Sequence, residues 1–215
     1  RTPLVLNDKP CDGCVRGSML DRYARKGGSN KKLREYEVVN ADTVDYGTCD
    51  NNGHRYALNM IVVGNSYGQL IMSANKDADS TSRAWKRGKA RIEANADAGG
   101  RAGYKVERRH TDPGTEFEGA SRESCEEDNV IVTFGGVDEH TGSAAVENRN
   151  KMVQRTATAM CSTALADEDL HAALHGEAAM HASEMLNHSP ITAAQKHAGI
   201  SAYEEHTGVQ GASKE

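Results

Sequence analysis

A chain of 215 residues with 37% hydrophobic and 5% aromatic side chains has apolar material for small cores rather than one dense globule. Its longest apolar runs, such as residues 59–63, are strand length, far short of the roughly 20 residues a membrane-spanning helix needs, so no membrane partner is expected. The net charge of −5 hides an asymmetry: residues 1–109 hold 20 of the 26 basic and 13 of the 31 acidic side chains, a net +7, against −12 for the remainder. That imbalance predicts a phosphate-bearing partner at the front and basic protein or solvent at the back.

The odd number of cysteines, 5, and their loose spacing exclude a disulfide-stapled secreted module. Arg1 in the first position is expected of a processed or partial chain from which a targeting segment is already gone.

Residues 1–34 read as a basic arm. Pro3, Pro10, Gly13 and Gly17 break any period. Arg16, Arg22, Arg25, Lys26, Lys31, Lys32 and Arg34 then cluster around a Gly27-Gly28-Ser29-Asn30 loop. Basic side chains on a flexible turn are what phosphate neutralisation requires, and a solvated surface is the competing reading.

Residues 35–100 read as an α+β domain. Tyr36, Val38 and Val39 form a short β-rich run, and Asp50-Asn51-Asn52-Gly53 supplies turn chemistry. Tyr56 to Val63 is the strongest strand signal, and a turn through Gly64 to Gly68 returns it along Gln69 to Ser73. Asp77, Asp79 and Ser80 are N-cap candidates for a helix over about 80–95, with Ala84, Trp85, Gly88, Ile92 and Ala96 on one face. Arg83, Lys86, Arg87, Lys89 and Arg91 occupy the other.

Residues 101–128 read as an increasingly acidic connector, in which Glu126-Glu127-Asp128 is a solvated charge run. Residues 129–188 read as a second α/β domain: a strand at Val130 to Phe134, a helix over about 150–165, and another from Asp167 to Leu186, interrupted near Gly176. Pro190 stops that helix, and 189–215 read as a small, polar tail with one short helix.

The stretch from Gly53-His54-Arg55-Tyr56 through Met60-Ile61-Val62-Val63-Gly64-Asn65-Ser66-Tyr67-Gly68, followed by Lys76, Ala78 and Arg83-Ala84-Trp85-Lys86-Arg87, resembles the first-domain hairpin and helix of the small-subunit ribosomal protein S-five family, in a divergent mitochondrial form. A fainter echo is Asp169-Leu170-His171-Ala172-Ala173-Leu174-His175-Gly176. The resemblance implies a double-stranded-RNA-binding-domain-like first domain, an antiparallel sheet backed by a helix, and a small βα second domain. It further implies a structural, non-catalytic constituent of the mitochondrial small subunit. Such a protein would bind ribosomal RNA where the messenger enters, beside S-four and S-eight type proteins, with no small-molecule substrate and no cofactor. Gly53 and Arg55 match the family's RNA-facing turn, and Lys76, Arg83, Lys86 and Arg87 its basic helix region.

Two other chemistries compete. Cys11-Asp12-Gly13-Cys14 with Cys49 and His54 offers four ligands suited to tetrahedral zinc, although the loop of more than thirty residues between the pairs favours ordinary thiols. His171 and His175 share a helix face, with His181 and His188 beyond, which makes a metal-dependent enzyme an alternative. The Ala-Ala-Leu between the first pair lacks the glutamate of a metalloprotease helix. A non-ribosomal RNA-binding module is the third reading.

Overall fold

The computed structural model describes residues 5–6, 9–10, 37–135, 144–164 and 168–209. Two short strands, β1 (Val5–Leu6) and β2 (Lys9–Pro10), pair antiparallel with each other. The main sheet has five strands. β3 (Val38–Asp45), β4 (Tyr56–Val62) and β5 (Gly68–Ser73) form an antiparallel meander, and β6 (Arg108–Thr111) and β7 (Ile131–Phe134) add in parallel beyond β3, giving the order β5-β4-β3-β6-β7.

The central strands are buried on both faces, which is why β4 reads as a near-continuous apolar run rather than an alternation. Val39, Ala41, Leu58, Met60, Val62 and Ile71 face helix α1 (Ala78–Ala98) and join Trp85 and Ile92 in one core. Ala57, Leu70 and Met72 face the other way, into a second core with Val153, Ala157, Ala179, Ala182 and Leu186. Those last five lie on α3 (Ala144–Ala164) and α4 (Glu168–Asn187), so the sheet is sandwiched between helical layers.

Local chemistry sets the elements. The Asp77 carboxylate accepts a hydrogen bond from the Ser80 amide at 2.7 Å, capping α1, and the face of Ala84, Trp85, Gly88, Ile92 and Ala96 is buried as its spacing predicts. Gly88 is required by contact, since a methyl group there would collide with the Met60 sulfur. Between β6 and β7 stand a 3-10 turn (Thr115–Phe117) and α2 (Ala120–Glu127).

The general α+β class holds, with differences inside it. The meander and α1 form as expected, but the sheet continues into β6 and β7. Val130 to Phe134, expected to open a second domain, is the edge of this same sheet. Residues 101–128, expected as connector, supply β6 and α2. The strand was illegible because Arg108-Arg109-His110-Thr111 is polar. Arg109 is nevertheless fully buried, its guanidinium 5.2 Å from the Trp85 ring and 5.6 Å from that of Phe117.

Helix α4 runs unbroken through Gly176, where a methyl group would collide with the Asp50 carboxylate. The supposed tail holds two packed helices, α5 (Ala193–Ala198) and α6 (Ala202–Thr207), each opened by a capping box. Their anchors, Gln195, His206 and Thr207, are polar and fully buried, so an apolar pattern could not reveal them. Among the described residues no helix is long and apolar enough to cross a membrane.

Candidate active site

The carboxyl end of a parallel strand pair is where an open α/β sheet presents functional groups, because the chain leaves the sheet there. β3 and β6 form such a pair. Their last registered partners are Ala41 and Thr111, and the next residue in each chain is an aspartate, Asp42 and Asp112. Neighbouring strands lie about 4.8 Å apart, so the two aspartates stand on neighbouring strands just past the paired stretch.

Asp42 belongs to the face of β3 that meets α3. There Asn150 donates from Nδ2 to Asp42 Oδ2 at 2.7 Å, and Glu147, one turn earlier on that helix, brings a third carboxylate. Burial raises the proton affinity of Asp42. The negative charges of Asp112 and Glu147 raise it further, while the Asn150 hydrogen bond and the Thr43 backbone oppose them. Asp112 and Glu147, from two other elements, thus both bear on the Asp42 proton.

On its other side Asp42 is registered with Asn59 of β4, whose side chain is fully buried. Asn59 Nδ2 donates to Asn150 Oδ1 at 2.5 Å. With its oxygen occupied, the Asn150 amide presents its NH2 to Asp42, so Asn59 fixes the orientation of the group that bonds Asp42.

Arg149, between Glu147 and Asn150 in sequence, points the opposite way into the molecule. Its guanidinium donates to the Ser66 carbonyl (3.2 Å), the Ser183 carbonyl and hydroxyl (3.0 Å each) and Asn187 Oδ1 (2.9 Å), tying α3 to the β4–β5 turn and to α4. Burial lowers its pKa to about 10.

The residues singled out from sequence lie elsewhere. Cys11, Cys14, Arg22, Arg25, Lys26, Lys31, Lys32 and Arg34 fall outside the described residues. Gly53 sits in the turn before β4 with φ 75°, and Arg55 makes a two-pronged pair with Asp45 at 2.8 and 2.9 Å, which holds that carboxyl down at about 2. Lys76 pairs with Glu116 at 3.0 Å, Arg83 donates to the Ser80 hydroxyl at 3.0 Å, and Lys86 pairs with Glu127 at 3.3 Å. Arg87 is exposed on the same helix.

The acidic run read as solvated therefore folds over the helix read as a phosphate grip, since Lys89 also meets Asp128 at 3.3 Å. Cys49 is exposed, and His54 lies 3.5 Å from Asp50 rather than from a thiol. His171 and His175 share a face as expected, but His181 is exposed and His188 pairs with Glu184 at 3.2 Å. Among the described residues no group of three or more His, Cys, Asp or Glu side chains is drawn together closely enough to hold a metal ion.

Sequence reasoning missed Asp42, Asp112 and Glu147. One signal was available: a carboxylate inside the β-rich run Val38 to Val44, where a buried charge requires a reason.

No family model matches the chain, and no curated protein does. Solved structures do. A chain of the simian T-cell lymphotropic virus intasome in complex with PP2A regulatory subunit B56 gamma is similar at TM-score 0.61 and 13% identity, over 86% of this chain and 59% of that one. The HTLV-2 integrase catalytic core domain in complex with magnesium, a trimeric form, is similar at TM-score 0.58 and 11% identity, over 80% of this chain and 96% of that one. At these identities the likeness is one of fold. It overturns the expectation of a ribosomal constituent that binds ribosomal RNA: both of these structures are of retroviral integrase assemblies or cores.

Proposed function

We propose that this chain is the catalytic core of a divalent-cation-dependent enzyme that cleaves or transfers phosphodiesters of nucleic acid. The observation that carries the reading is the placement of Asp42 on β3 and Asp112 just past β6, where the two parallel strands cease to pair, with Asn150 of α3 hydrogen-bonded to Asp42 and Glu147 one turn earlier on that helix. A shared fold with an integrase core that binds magnesium supports it.

The donor types suit such an ion, and binding it would have to draw the three side chains together, since they are not grouped closely enough to hold one here. Three carboxylates are hard oxygen ligands, and the repulsion they impose on Asp42 is what a cation of charge two relieves. A bound divalent cation supplies charge neutralisation and Lewis-acid polarisation at a phosphodiester oxygen.

The chain's own groups do the rest. Asp42 has to be ionised to act as a ligand, and the Asn150 hydrogen bond favours that form. Asn59 keeps the Asn150 amide in the donating orientation. Lys151, exposed one turn beyond Glu147, offers a cation to the anionic backbone of a substrate.

The test is cleavage or strand transfer of a labelled DNA duplex by the purified chain in magnesium or manganese. Asp42→Asn, Asp112→Asn and Glu147→Gln should each lower the rate at least about a hundredfold. Metal-dependent activity that survives all three substitutions, or none in the native chain, would overturn the proposal.

A further inference from the structure

A cleft of about 330 Å³ opens between the end of β3, the middle of α3 and the start of α4, with Tyr46 four residues past Asp42 in its lining. We propose that it receives an unpaired nucleobase of the nucleic-acid substrate. The inference rests on the phosphodiester reading above and names the part of the substrate this surface holds.

Position comes first. Tyr46 follows Asp42 along β3 and its direct continuation, and Gln154 follows Asn150 by one helical turn, about 6 Å along α3. Thr158 continues the same helix face. The wall of the cleft is therefore the same strand and helix that carry the site, so a strand whose phosphate lies at Asp42 can place a neighbouring base here.

Chemistry then selects the guest. Tyr46 and His175 lie with ring centroids 4.9 Å apart and planes tilted by 32°, offering aromatic surface to a heterocycle. The Gln154 carboxamide and the Thr158 hydroxyl line the cleft without a hydrogen bond to any described residue, leaving a donor and acceptor set for a base edge. Among the described residues no Lys or Arg lines the cleft, and the Asp45 carboxylate there is already paired with Arg55. That set offers phosphate no free cation and suits an uncharged ring.

A metal is the weaker occupant. Cys161, His171 and His175 border the same space, yet no three such ligands among the described residues stand together. Reading an unpaired base beside a scissile phosphate gives an enzyme a way to prefer frayed or single-stranded ends, since a base still in its stack cannot reach such a cleft.

The probe is a DNA duplex with a short overhang carrying 2-aminopurine at the first unpaired position, compared with a blunt duplex bearing the same label, both in magnesium-free buffer. The native chain should quench the overhang label and bind that duplex more tightly than the blunt one. Tyr46→Leu should weaken overhang binding about five- to hundredfold, and Gln154→Ala should shrink the preference for overhang over blunt. Thr158→Val, close in shape, gives the same direction should Tyr46→Leu loosen the packing.

Equal affinity for the two duplexes, or quenching that none of the substitutions changes, would overturn the proposal. Magnesium-dependent cleavage without quenching removes the base site and leaves the phosphodiester reading. Quenching without any cleavage does the reverse.

Discussion

Asp42 stands between neighbours that pull its proton in opposite directions. Burial and the carboxylates of Asp112 and Glu147 favour the protonated acid, and Asn150 favours the carboxylate. Folding therefore holds a carboxyl above its ordinary range, which costs stability at neutral pH. Asp42→Asn should abolish metal-dependent activity and raise the thermal midpoint, by about 2–4 °C for each kcal/mol relieved, as calorimetry would show. A lower midpoint would contradict the repulsion.

Asn59 gives a finer test at the same scale. Asn59→Asp adds a fourth carboxylate beside Asp42, so the acid limb of the pH–rate profile should move to higher pH, because more of the Asp42 population is protonated at any given pH. An unmoved limb would show that Asn59 has no purchase on the site. None of this was legible in sequence, since Asn59 reads as one polar residue in an apolar strand and its partners lie 17 and 91 positions away.

At the level of elements, the placement of α3 depends on Arg149. A buried guanidinium spans the β4–β5 turn and α4, and Gly68 lies so close that a methyl group there would strike it. Arg149→Met keeps bulk but leaves the Ser66 carbonyl and the Asn187 oxygen without that donor. The expected loss is about 2–4 kcal/mol, read as a lower urea midpoint with an unchanged slope. Because Glu147 and Asn150 flank it, activity should fall further than stability alone explains, at temperatures where the variant is fully folded. Sequence patterning located α1 and the β4–β5 hairpin because their apolar periods are strong. It missed β6 and shortened α3, whose register is set by a charge turned inward.

The whole molecule is closed by its last two helices. His206 is fully buried, its Nε2 donating to the Ile92 carbonyl at 2.9 Å and its Nδ1 accepting from Asn65 at 3.1 Å, while its ring stacks on Tyr67 at 4.2 Å. Burial lowers its pKa to about 4, against the backbone bond that raises it, so the folded state keeps it neutral where the unfolded chain is protonated. A depressed folded pKa on a base means stability present above the unfolded value near 6.5 and lost as pH falls toward 4, on the order of 3 kcal/mol. Urea unfolding at pH 7, 5.5 and 4.5 should show that loss, and His206→Gln should flatten it. A profile identical in the variant would remove His206 from the acid response.

Composition and periodicity alone located the β4–β5 hairpin and the amphipathic α1 with its cap, because each depends on neighbours within a few residues. They could not determine which charges face inward or which carboxylates meet. Arg109 and Arg149 add to the basic count yet lie in the interior, and Glu127 and Asp128 lie against the helix they were expected to leave bare. Asp42, Asp112 and Glu147 are far apart along the chain and influence one another only when a parallel crossover sets β6 beside β3 and α3 packs on that strand. Electrostatic coupling depends on distance through space, and only the tertiary structure supplies that distance.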